Sequence, residues 1–118
     1  MSLNMKKYAL LAIKILLTLA FVAAGLAKLT GAAMMVATFD AVGFGQWFRY
    51  VTGIIEVGGA ILLWLPGLAW VGSGLLVCTM VGAVGAHAIW LGLDSAMPAV
   101  VLGILAAVIF LTHRPKQA

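Results

Sequence analysis

Charge is what this chain has least of. Only 8% of its 118 residues are Asp, Glu, Lys or Arg, and just three are acidic. A soluble chain of this length needs about a quarter of its residues charged to cover its surface, so a soluble globular fold is excluded. Cysteine is almost absent too. A single one, Cys78, rules out an intrachain disulfide and a CxxC relay and argues against thiol–disulfide chemistry. Neither CxxC nor HxxxH occurs, and one histidine with one or two carboxylates offers too few ligands for zinc, so no metal site is expected. The net charge of +4 comes mainly from the two termini. It bears on membrane orientation, and no nucleic-acid partner is indicated.

What fills the chain instead is hydrocarbon: 65% of residues are apolar and the mean hydropathy is +1.22. Such a chain has lipid as its solvent. At about 20 residues per span the length has room for four helices and no extramembrane domain. The expected fold is all-α: one four-helix transmembrane bundle over residues 1–118, with spans at about 8–29, 46–65, 69–91 and 98–112. The first run begins like a signal peptide, with Lys6-Lys7 ahead and small residues at Ala23-Ala24-Gly25, but Lys14 interrupts it and it is long enough to span, so an uncleaved helix is expected. Lys14 lies within two turns of the helix start and can snorkel back to the surface of Lys6 and Lys7. Lys28, at the far end, is either a second such anchor or a member of a polar cluster.

Between Thr30 and Trp47 the chain is rich in glycine, methionine and phenylalanine. It reads as an interfacial or re-entrant segment between helices 1 and 2, with Trp47 and Phe48 in the aromatic belt; an irregular loop is the alternative. Pro66-Gly67 breaks the second span and forces an antiparallel hairpin. In the third span Gly74, Cys78, Gly82 and Ala86 recur every four positions, a small stripe that admits another helix and gives Cys78 a place in the core. Asp94 marks the next turn, Pro98 fits the first turn of the fourth span, and Ala99, Gly103 and Ala107 form its stripe before the basic His113-Arg114-Pro115-Lys116. An even number of spans puts both termini on one side, and their lysines and arginine assign it to the cytoplasm. Lys28, Asp40, Arg49, Glu56, His87 and Asp94 then share the exoplasmic half.

The stretch Arg49–Gly59 is the centre of the functional reading. Arg49 and Glu56 are seven residues apart, so on a helix both fall on one face, roughly 10 Å apart along the axis, with Thr52 and Gly53 between them. A carboxylate in hydrocarbon costs a few kcal/mol on lenient scales, which makes it a functional candidate that needs a partner. The expected partner is Arg49 or His87, with Lys28 at the rim of the cluster; for His87 the alternative is a bond to a backbone carbonyl. Arg49 would hold Glu56 ionised while the imidazole passes a proton or bonds a carbonyl oxygen. The ligand-binding candidates are therefore Glu56, Arg49, His87, Lys28, Thr52 and Asp40, opening to a pocket roofed by Met34, Met35, Phe39, Phe44 and Trp47. Haem is disfavoured, because His113 is expected a full bilayer away from His87.

AFVAAGLAKLTG at Ala20–Gly31, RYVTGIIEVGGAILLWLPG at Arg49–Gly67 and MVGAVGAHAIW at Met80–Trp90 together resemble the DoxX-like family of small four-helix membrane proteins. Ala24, Gly25 and Lys28 match its Ala-Gly-x-x-Lys, Gly53 and Glu56 its Gly-x-x-Glu, and His87 its late histidine. The family takes its name from subunits associated with thiosulfate:quinone oxidoreduction, and similar proteins are linked to membrane oxidoreductase complexes and to receptor assembly. The resemblance thus implies a redox-linked membrane subunit, in which the polar cluster would engage a quinone-like or lipid ligand. The alternative is a non-catalytic accessory or assembly subunit that binds a larger membrane partner or forms a homo-oligomer. A small proton-coupled transporter is third, although in four-helix antiporters the intramembrane acid is on the first helix, which here carries only lysines. A bacterial inner membrane is the expected location, and whether the protein catalyses anything is not decided by the sequence.

Overall fold

The computed structural model describes residues 2–115; Lys116, part of the expected basic tail, lies outside the described residues. The described chain is all-α, with no strand. α1, Leu3–Thr30, starts where the Ser2 hydroxyl accepts the Met5 N–H at 3.2 Å and stops at Gly31, whose φ of 76° closes the helix in the left-handed conformation that glycine adopts without strain. α2 is Ala33–Val42, α3 Gln46–Leu62 and α4 Ala69–Ala86. A π-helical turn, His87–Leu91, extends α4, and a 3-10 turn, Leu93–Ser95, leads to α5, Met97–His113, with Pro98 in its first turn.

Five helices stand where four were expected. The additional one, α2, falls in the Thr30–Trp47 connection, where a run without proline or internal glycine lies between Gly31 and Gly43. It replaces the irregular-loop alternative with a helix, turned inward at Phe39 and Val42. α3 ends three residues short of the expected span. Approaching Pro66 the chain tightens into i→i+3 bonds, Trp64 N–H to the Ile61 carbonyl and Leu65 N–H to that of Leu62.

α3 packs on α1 and α4, α4 packs on α5, and α5 closes back on α1, while α2 lies against α3 and the π-helical turn. The body measures 46 × 27 × 26 Å, and α1 alone accounts for about 42 Å of its length. Leu17, Phe21, Ala60, Leu63, Leu76, Met80, Ala106 and Ile109 form a core shared by the four longer helices. Outside, Leu19, Ile54, Val81, Ile104 and Leu111 are all more than half exposed. Large aliphatic side chains on the exterior of every long helix are what a lipid environment selects. Leu3–Thr30 and Ala69–Leu91 are long and apolar enough to cross a membrane.

Close helix contacts are made by glycines, but not those of the expected α4 stripe. A Cβ on Gly72 would lie 2.5 Å from the Gly59 carbonyl, so α3 and α4 touch backbone to backbone there. Gly82, by contrast, has nothing within 4 Å, and Cys78 is exposed and not in the core. α4 is apolar all round, so hydrophobicity does not tell its inward face from its outward one.

Candidate functional site

Glu56 is 1% exposed, and its charge is met by Lys28: Nζ lies 2.6 Å from Oε1. That contact is an ion pair across the α1–α3 seam. Helix geometry explains why Lys28 is the partner and Arg49 is not. Side chains lean toward the N-terminus of their own helix. Arg49 therefore leans away from Glu56, toward the end covered by α2, while Lys28 leans back down the antiparallel α1 to meet it.

Two glycines make room for the meeting. A Cβ on Gly25 would come within 2.9 Å of the Gly53 carbonyl and 2.5 Å of Val57 Cγ2. A Cβ on Gly53 would come within 3.0 Å of the Gly25 carbonyl and 3.1 Å of Lys28 Cβ. The Ala-Gly-x-x-Lys and Gly-x-x-Glu patterns are thus one device, in which two glycines bring the backbones together and the charge three residues beyond each one crosses the seam.

Arg49, 5% exposed, has a different task. Nη1 donates to the Lys28 carbonyl, in the last turn of α1, where carbonyls lack intrahelical partners and the helix dipole favours a cation. Nε donates to Gln46 Oε1 at 2.7 Å, and the guanidinium lies 4.3 Å from the Tyr50 ring centroid. Gln46 Nε2 in turn donates to the Val36 carbonyl at 3.0 Å and to Asp40 Oδ1 at 2.7 Å, tying α2 to α3. Of the expected candidates, then, Lys28, Glu56, Arg49 and Asp40 join one network, with Asp40 at its exposed edge.

Thr52 and His87 stay apart from it. The Thr52 hydroxyl donates to the Phe48 carbonyl within its own helix. His87 does not reach Glu56: its Nδ1 is 2.7 Å from the Ser95 hydroxyl, which itself donates to the Gly92 carbonyl. The imidazole fastens the end of α4 to the following 3-10 turn. Two open pockets of the described residues also lie elsewhere, one beside the N-terminal half of α1 and one between α4 and α5. Beside Arg49 in the chain, Phe48 packs against Phe39, Phe44 and Trp47, with ring centroids 5.7–5.9 Å apart, and Trp90 packs against Phe44 at 5.5 Å.

Sequence reasoning missed Gln46, Tyr50 and Ser95. Gln46 was open to detection, standing one helical turn before Arg49; the Asp40 and Ser95 contacts depend on how two connections fold and leave no local mark. Searches of curated proteins and of solved structures each found no match. The model of the DoxX-like family matches residues 12–110, a stretch that holds both glycine-and-charge patterns and His87, and the chain belongs to that family.

Proposed function

We propose that this small membrane protein is a non-catalytic subunit that assembles with a larger membrane partner. Its four longer helices cross the bilayer, both termini are cytoplasmic, and α2 lies at the opposite interface. The observation that carries the reading is that the polar network is occupied with itself: Glu56 holds Lys28, and Arg49 holds the Lys28 carbonyl and Gln46. Such a network fixes helix register, and leaves little to address a substrate. The free surface is on the far side, where α4 and α5 enclose an apolar groove of about 320 Å³ lined by Val81, Val84, Val100 and Ile104 over the small Ala99, Gly103 and Ala107. Small residues let a further transmembrane helix come close.

Val81→Trp and Ile104→Trp test this, since both side chains are largely exposed and neither belongs to the core. In native electrophoresis of mild-detergent extracts, the wild type should run as an assembly larger than its 12.3 kDa chain, and the tryptophans should release it. A wild type that runs as the single chain overturns the proposal, and an assembly built of this chain alone replaces the partner with a homo-oligomer. A redox-linked role is the second reading, favoured by the aromatic cluster around Phe48, which suits a quinone-like ring. Absorbance and mass spectrometry of the purified protein distinguish the two: stoichiometric quinone establishes the second and removes the first.

A further inference from the structure

At the end of the bundle away from Glu56, the cavity beside the N-terminal half of α1 has a volume of about 370 Å³. Lys6, Lys7 and Lys14 line it together with His113 from the end of α5, and Leu10 and Leu11 form its apolar wall. Three features distinguish it from lysines scattered at an interface. First, among the described residues none of the three lysines has a carboxylate within 4 Å, the one such pair being Lys28 with Glu56 at the other end. Second, the lysines come from two levels of one helix, Lys6 and Lys7 in one turn and Lys14 about two turns on, and His113 reaches the same volume from a second helix. Third, the deepest of them is fixed in place: Lys14 Nζ lies 5.9 Å from the Trp64 ring centroid, and that indole donates to the Thr18 hydroxyl at 2.8 Å. His113 Nδ1 donates to the Ile109 carbonyl at 3.0 Å, which orients its ring from the α5 side.

We infer that this cavity is a binding site for the phosphate of an anionic phospholipid, in the leaflet that holds the N-terminus. The lysines surround the phosphate, and the leucine wall continues outward as apolar surface for the acyl chain. Basic pockets between transmembrane helices recognise anionic headgroups in this way. The site is separate from the polar network and from the α4–α5 groove.

Native mass spectrometry of the detergent-solubilised full chain tests it with three probes: dioctanoyl phosphatidylglycerol, dioctanoyl phosphatidylcholine and inorganic phosphate. Phosphatidylglycerol should bind with a stoichiometry near one and in preference to phosphatidylcholine. Each lysine changed to glutamine should weaken it about fivefold, whereas Lys14→Arg, which keeps the charge, should bind nearly as the wild type does. Because Lys14→Gln leaves Lys6 and Lys7 to orient the first helix, its loss of binding is separable from failed insertion. The wild-type preference between the two lipids is an independent measure that needs no variant. Equal binding of the two lipids, or phosphatidylglycerol binding unchanged in the Lys6, Lys7 and Lys14 glutamine variants, overturns the inference. Displacement by inorganic phosphate at matching concentration overturns the lipid as its source, leaving a site for a soluble phosphate.

Discussion

Glu56 and Lys28 are each tolerable in an apolar surrounding only because of the other. Removing one partner of a buried pair leaves an uncompensated charge, which costs about 3–5 kcal/mol. Lys28→Met should therefore lower the thermal stability of the detergent-solubilised protein by an amount of that order. Glu56→Leu should do the same by stranding the ammonium, and Glu56→Gln should cost less, because the amide still offers an oxygen. The double variant Lys28→Met with Glu56→Leu should lose less than the two single changes added together. Simple additivity in thermal melts would mean that the two charges do not depend on each other. That Glu56 needs a partner was legible in the sequence, since an isolated carboxylate in an apolar run has no other way to be buried. Which partner it takes was not. Seven-residue spacing puts Arg49 and Glu56 on one face, but the direction in which side chains lean along antiparallel helices favours the lysine on the neighbouring helix.

At the level of the helices, the α1–α3 seam is set by backbone proximity at Gly25 and Gly53. Gly25→Ala would place a methyl group 2.5 Å from Val57 Cγ2 and 2.9 Å from the Gly53 carbonyl. The helices must part to admit it, at a cost of about 1–3 kcal/mol. Gly58→Ala, on the same seam helix with nothing within 4 Å, should be neutral or slightly stabilising, since alanine is the better helix former. Equal effects of the two substitutions in a melting experiment would show that the glycines are not what sets the seam. The breaks at Pro66-Gly67 and Pro98 were readable because they act locally, whereas the Ser2 cap and the Gly31 stop of α1 emerge only with the structure, which starts the helix at Leu3 where the span was expected from about residue 8. The inward face of α4 was not, because Gly72 and Ser73 lie beside Gly74 in a helix with no polar side to mark the exterior. α2 escaped a firm assignment for a related reason: its residues are apolar enough for a helix, an interfacial loop or a membrane-dipping turn, and contacts with α3 decide among them.

Across the whole molecule the acids gather at one end. Asp40, Glu56 and Asp94 belong to the end covered by α2 and the π-helical turn, and Lys6, Lys7, Lys14 and His113 to the other. With the basic end cytoplasmic, cysteines introduced at Ser2 and Pro115 in a variant lacking Cys78 should be labelled by an impermeant thiol reagent only from the cytoplasmic face, and one at Asp94 only from the opposite face. Ser2 and Pro115 labelled from opposite faces would exclude an even number of crossings. The ion pair between α1 and α3 also has a bearing on biosynthesis. Lys28 and Glu56 are separated by 28 positions in the chain, so the ribosome delivers the lysine to the membrane well before the glutamate emerges. A glutamate that arrives next to a waiting ammonium is met by a charge of opposite sign, which leaves Arg49 as the remaining charge on α3. Proteolytic loss of the first helix would remove the ammonium that Glu56 pairs with, so retention of α1 is expected to favour the packing of α3.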